Sequence, residues 1–134
     1  MDNLETVEAI INAIRRGDAD HYVARFAEDA VLEHPLEPEP VRGREAIREN
    51  EDALFESFSD IEVEVRSMTS GGPRVVAEVV LRATSTSSAD PRGAPAGRSR
   101  IEIPAVWIFE FGPDGLVTAE RDYFDTAALT GFLP

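Results

Sequence analysis

The sequence predicts an α+β fold, with three helices packed on one face of a curved antiparallel sheet. Two observations carry that expectation. Apolar residues recur at three- and four-residue spacing in the first part of the chain, then at every second residue from Ile61 onward. Helices come first and a meander of strands follows, which favours segregated layers over alternating βαβ units.

The first helix follows from Leu4, Val7, Ile10, Ile11 and Ile14, which line one face. Asp2 or Asn3 caps its start, and Arg15-Arg16-Gly17 gives it a cationic end and a glycine stop. Asp18 opens a second, short helix through Tyr22, Val23 and Phe26. A strand from Ala30 to His34 then runs into the proline-rich segment "PLEPEP", and Gly43 precedes a third helix from about Arg44 to Phe58, with Ile47, Leu54 and Phe58 on one side.

Beyond it, Ile61, Val63 and Val65 alternate with Glu62, Glu64 and Arg66. "SGGP" at Ser70–Pro73 turns the chain into a strand carrying Val75, Ala77, Val79, Leu81 and Ala83 on one face. Residues 85–98 read as a mobile hairpin loop, rich in serine, proline and glycine. Ile101, Ile103, Ala105, Trp107, Phe109 and Phe111 share a face of the next strand. "GPDG" leads into a last strand from Leu116 to about Phe124. With no internal repeat and no linker, residues 1–134 are expected to form one domain.

Charge and composition narrow the function. The net charge is −13, and all 13 basic residues are arginine. Such a chain repels polyanions, so nucleic acids and anionic membranes are poor partners. There is no cysteine, which excludes disulfides and thiol nucleophiles, and two histidines are too few for a histidine-rich metal site. No run approaches the roughly 18 apolar residues of a membrane span, and the N-terminus lacks a signal-peptide pattern, so a cytoplasmic location is expected.

The stretch "GDADHYVARFAEDAVLEHPLEPEPVRGREAIRE", together with the ending "GLVTAERDYFD", resembles the NTF2-like superfamily, in particular its SnoaL-like and ketosteroid-isomerase-like branch. The resemblance implies an NTF2-like cone whose sheet and helices enclose an apolar pocket. It implies a cofactor-independent proton-transfer enzyme, of isomerase or polyketide-cyclase type, acting on a hydrophobic carbonyl-bearing molecule. No metal is implied, and a homodimer through the sheet is. Two alternatives stand beside it: a non-catalytic binding or dimerisation module, and an epoxide hydrolase-like enzyme.

Within that resemblance, His34 occupies the position before proline where ketosteroid isomerases carry their proton-moving carboxylate. Asp122, in "RDYFD", matches the acid/base aspartate of SnoaL-like cyclases. The isomerases' two oxyanion donors fall at Ile10 and Trp107, so that pair is not reproduced. The hydrolases' arginine and middle-strand aspartate fall at Val79 and Leu81. His34 and Asp122 are therefore the catalytic candidates, with His34 as base and Asp122 as its partner or the acid. Trp107, Glu120, Ile11, Ile14, Val79, Leu81, Ile103, Ala105 and Tyr22 are the candidate pocket wall.

The residues themselves leave a plainer account open. Alternation puts Ala30, Leu32 and His34 on one inward face, and an imidazole titrating at about pH 6.5 can exchange protons there. A strand-end histidine bonded only to backbone explains the same pattern. Period two in the last strand would bury Val117, Ala119 and Tyr123, leaving Glu120 and Asp122 in water. The acids at Glu37, Glu39, Glu45, Glu49, Glu51 and Asp52 read as a solvated face, His21 as solvent-facing, and Arg100 and Arg121 as surface or dimer ion pairs.

Overall fold

A computed structural model of the chain describes residues 1–85 and 99–128. The first helix, α1 (Asn3–Arg16), begins with a reciprocal capping box. The Asp2 carboxylate accepts the Glu5 N–H at 2.8 Å, and Glu5 Oε1 accepts the Asp2 N–H at 3.1 Å. It ends at Gly17, whose φ of 65° is the left-handed conformation that closes helices. A second helix, α2 (Ala19–Val23), is capped by Asp18, and a third, α3 (Arg44–Ser57), follows Gly43.

Strands β1 (Phe26–Glu33) and β2 (Val41–Arg42) precede α3. After it come β3 (Phe58–Gly71), β4 (Arg74–Ser85), β5 (Ser99–Phe111) and β6 (Val117–Phe124), then a single 3-10 turn at Thr126–Ala128. They form one curved, unclosed six-stranded sheet in the order β2-β1-β6-β5-β4-β3. The helices cover its inner face, so the core gathers between them: Val7, Ile10 and Ile11 of α1 pack with Val75, Ala77 and Val79 of β4 and Phe109 of β5. No described helix is long and apolar enough to cross a membrane.

Several expectations shift. The second helix stops at Val23, and Phe26 opens β1 four residues ahead of the expected strand start. The third helix ends at Ser57, so Phe58 begins β3, three residues before the alternation is visible at Ile61. The proline segment ends in a two-residue strand, β2, too short to show a period. The sheet is mixed, because β1 runs parallel to β6 while every other neighbouring pair is antiparallel. Local alternation says nothing about direction, which is set by where the chain returns after α3. The expected loop over 85–98 falls outside the described residues, except for Ser85, which ends β4.

Candidate functional site

The inner end of β1 brings an imidazole to the concave side of the sheet. Phe26, Ala30 and Leu32 are buried in the core, and His34 follows in the same alternation. Pro35 then turns the chain, and the His34 carbonyl accepts the Glu37 N–H at 3.1 Å. This is the arrangement in which proline is favoured at the second position of a β-turn. The turn also aims the Leu36 N–H at His34 Nδ1, over 3.3 Å. The other ring nitrogen, Nε2, is buried and has no hydrogen-bond partner.

Strand β6 supplies the acids through an irregularity. Phe111 pairs with Val117, whereas Glu110 pairs with Ala119, so Thr118 is the extra residue of a bulge. A bulge reverses which side subsequent residues face. Val117 is therefore buried, and so is Glu120, at 2% exposure, with Asp122 following on the inner side. Simple alternation had offered only one of these two sets. The parallel pairing sets Leu32 of β1 beside Glu120 of β6. Two residues further along each chain come His34 and Asp122, and both reach the same hollow.

That hollow lies between the sheet and the helices. The space between its atoms, counted out into the open mouth, is about 840 Å³, of which about 100 Å³ can hold the centre of a water molecule. At roughly 10–15 Å³ per water centre, that smaller volume holds several waters or one small organic ring. Its walls are mainly apolar: Leu81 and Ala83 of β4, Ile101, Ile103, Ala105 and Trp107 of β5, and Leu54 and Phe55 of α3, with Ile14 of α1 and Phe124 of β6.

Four acidic groups face this lining. Tyr22 of α2 is fully buried, and its hydroxyl donates to Glu120 Oε1 over 2.5 Å. Burial raises the Tyr22 phenol well above its ordinary value of 10.0, and the nearby carboxyls Glu120, Glu51 and Asp122 push it further. Asp122 sits across from Trp107 in the sheet. Burial holds its carboxyl well above 3.8, reinforced by the charge of Glu120, a hydrogen bond with Glu120 and the charge of Glu51. Its Oδ1 has no partner. Glu51 of α3 is 9% exposed, and burial, with Glu120 and Asp52 adding repulsion, lifts it from 4.5 to about 8. Like-charged carboxyls sharing a low-dielectric site keep protons that an exposed carboxyl would lose.

Of the expected wall, His34, Asp122, Trp107, Glu120, Ile14, Leu81, Ile103, Ala105 and Tyr22 meet in this one cavity. Ile11 and Val79 do not line it. Each is 1% exposed in the packed core, Ile11 on the side of α1 that meets β3 and β4. The face of an α-helix that touches a sheet is wider than the part a cavity opens, and neighbours on it have different fates.

Glu51 corrects the expectation of a solvated acidic face. A signal for it was present: Ile47, Glu51, Leu54 and Phe58 follow one another at four, three and four residues, a single helix face. The surrounding acids concealed it. Its neighbour Asp52 does reach solvent, where it pairs with Arg48 at 2.8 Å. His21 is exposed and bonds Asp18 at 2.6 Å; Arg121 pairs with Glu110 and Arg100 with Glu62, both at 3.0 Å. Among the described residues no group of three or more histidines and carboxylates is placed to hold a metal ion.

A SnoaL-like domain family model matches residues 7–120. No curated protein matches the sequence. Among solved structures, a protein from Jannaschia sp. CCS1 described as a SnoaL-like polyketide cyclase is 24% identical, with a TM-score of 0.81 over 96% of this chain and 88% of that one. SalBIII, an epoxide hydrolase/cyclase-like enzyme with a role in pyran ring formation in the polyether salinomycin, is 26% identical, with a TM-score of 0.75 over 94% and 92%. An epoxide hydrolase from M. tuberculosis, of the LEH-like type, is 24% identical, with a TM-score of 0.73 over 98% and 88%. The family pattern runs through most of the sequence and the backbone agrees over nearly its full length, so this chain belongs to the SnoaL-like domain family of the NTF2-like superfamily.

Proposed function

We propose that this protein is a cofactor-independent enzyme that moves a proton on a small, neutral, largely apolar carbonyl compound, giving isomerisation or intramolecular ring closure. The observation that carries the reading is the pair of unpartnered polar atoms, His34 Nε2 and Asp122 Oδ1, at an apolar hollow that side chains leave unfilled. A buried polar atom without a partner costs about 1–3 kcal/mol. Two of them on residues that line one cavity mark where a ligand's polar group belongs.

Asp122 is the group that exchanges the proton. Glu120 is already engaged by Tyr22, whereas Asp122, which lines the cavity, keeps a buried oxygen without a partner. Raising a carboxyl above its ordinary value makes its anion a stronger base and its acid a usable donor near neutrality. One group can then take a proton from carbon and return it elsewhere on the same molecule. Burial holds Asp122 in that state, with the charge of Glu120, a hydrogen bond with Glu120 and the charge of Glu51 adding to it. The similarity to SalBIII favours ring closure as one form of this chemistry, since closing a ring onto a carbonyl or an epoxide also needs a proton moved at each end.

The test is α-proton exchange of cyclohexanone in D2O, followed by NMR. Binding is read independently from the fluorescence of Trp107, the single tryptophan, which lines the cavity. Asp122→Asn is expected to slow exchange about 10²–10⁴-fold, the range of a general base. Binding that quenches Trp107 in a wild-type protein showing no catalysed exchange would make this a binding module instead.

A further inference from the structure

The hydrogen bonding of His34 decides which of its nitrogens meets a ligand. The Leu36 N–H donates to Nδ1 at 3.3 Å. A donor requires a lone pair opposite it, so Nδ1 carries no proton. An imidazolium has an N–H at both positions and nothing to accept with, so the same contact selects the neutral ring. The one proton of that ring then sits on Nε2, the atom that is buried, unpartnered and part of a cavity-lining residue.

The backbone holds this arrangement in place. Leu36 lies inside the turn closed by the Glu37 N–H on the His34 carbonyl, at 3.1 Å, and Pro35 restricts the same turn. The ionisable groups sharing the cavity with His34 are Tyr22 of α2, Glu51 of α3, and Glu120 and Asp122 of β6. All are acids, and no arginine lines the hollow among the described residues. An oxyanion forming there therefore has few donors available, and His34 is one of them.

We infer that His34 is a neutral hydrogen-bond donor, presenting Nε2–H to the carbonyl oxygen of the ligand, and that it is not the base. This deepens the proton-transfer reading and rests on it. In the step, the C–H bond α to the carbonyl breaks and its proton joins the Asp122 carboxylate. The electron pair left behind moves onto the carbonyl oxygen as an enolate. Nε2–H keeps its proton and strengthens its bond as negative charge builds on that oxygen. Return of the proton from Asp122 to carbon restores both groups.

Two measurements decide it. Long-range 1H–15N NMR of protein with 15N-labelled histidine reads the tautomer directly, and with only His21 and His34 present one variant assigns both. At about pH 8, His34 is expected as the Nε2–H tautomer, with Nε2–H moving downfield when cyclohexanone is added. An Nδ1–H tautomer, or an Nε2–H unmoved by bound cyclohexanone, overturns the inference. In the second measurement, His34→Gln, which keeps an N–H donor but cannot act as a base, retains exchange within about tenfold. His34→Leu loses about 10²–10³-fold, as for removal of one oxyanion donor. A glutamine variant as inactive as the leucine variant overturns it too. If the wild type exchanges nothing, the proton-transfer reading fails while the tautomer and the cyclohexanone-induced shift still decide the role of the ring.

Discussion

Glutamine at position 51 tests the buried acid cluster through folding alone, without knowledge of any substrate. Burial raises the Glu51 carboxyl from 4.5 to about 8. Between those values the folded protein holds a proton that the unfolded chain has released. Stability must then fall as pH rises through the window from about 4.5 to about 8, being fully present below it and lost above it. At 1.36 kcal/mol for each tenfold change, the whole rise corresponds to about 5 kcal/mol. That is comparable with the roughly 5–15 kcal/mol stability of an ordinary domain, so the effect is large enough to measure. Glu51→Gln keeps the shape and removes the titration. The assay is urea unfolding of both proteins at pH 5 and pH 8, followed by circular dichroism. Any cost of the amide itself is present at both pH values and cancels in the comparison. The variant is expected to gain several kcal/mol relative to wild type on going from pH 5 to pH 8. Equal pH slopes in the two proteins would refute the argument and return Glu51 to the solvated face.

Two further predictions concern the other acids. Tyr22→Phe removes the donor to Glu120 and leaves a buried carboxyl oxygen unsatisfied, so urea unfolding should show a loss of about 1–3 kcal/mol. Because burial raises Asp122, its basic form accumulates above the ordinary carboxyl range. Cyclohexanone exchange should therefore still be rising with pH well above about pH 5, and a rate already level at pH 5 would contradict the assignment of Asp122 as base.

Much of the architecture is legible because it rests on local repetition. The spacing of Leu4, Val7, Ile10, Ile11 and Ile14 requires one buried helix face, and all but Leu4 are buried. The alternation of Val75, Ala77, Val79, Leu81 and Ala83 requires one inward strand face, which is the face lining the core and the hollow. The inward side of His34 follows from the same rule applied to Ala30 and Leu32. The plainer account of His34 is also met in part, since Nδ1 does bond backbone. One nitrogen satisfies that account and the other is left for the cavity.

What escapes a local rule depends on elements distant in the chain. The parity of β6 is broken at Thr118, because a bulge appears only when the strand is laid against β5. Glu51 lies among acids and is distinguished from them only by what packs over it. Whether Ile11 or Ile14 reaches the hollow depends on where α1 crosses the sheet, and only Ile14 does.

The amino-acid order by itself settled most of the succession of helices and strands and most of the faces they bury, since periodicity and capping act over a few residues, and its motifs carried the resemblance to the family. Alternation also placed His34 on an inward face, whereas for Asp122 it pointed to solvent and only the resemblance implied the pocket. Only the folded chain decided that they share one hollow with Glu51, Glu120 and Tyr22, and that Glu51 and Asp122 hold their protons above the ordinary carboxyl range. Solvation and charge repulsion depend on distance through space, and residues 22, 34, 51, 120 and 122 become neighbours only once β1 lies beside β6 and α3 closes over them.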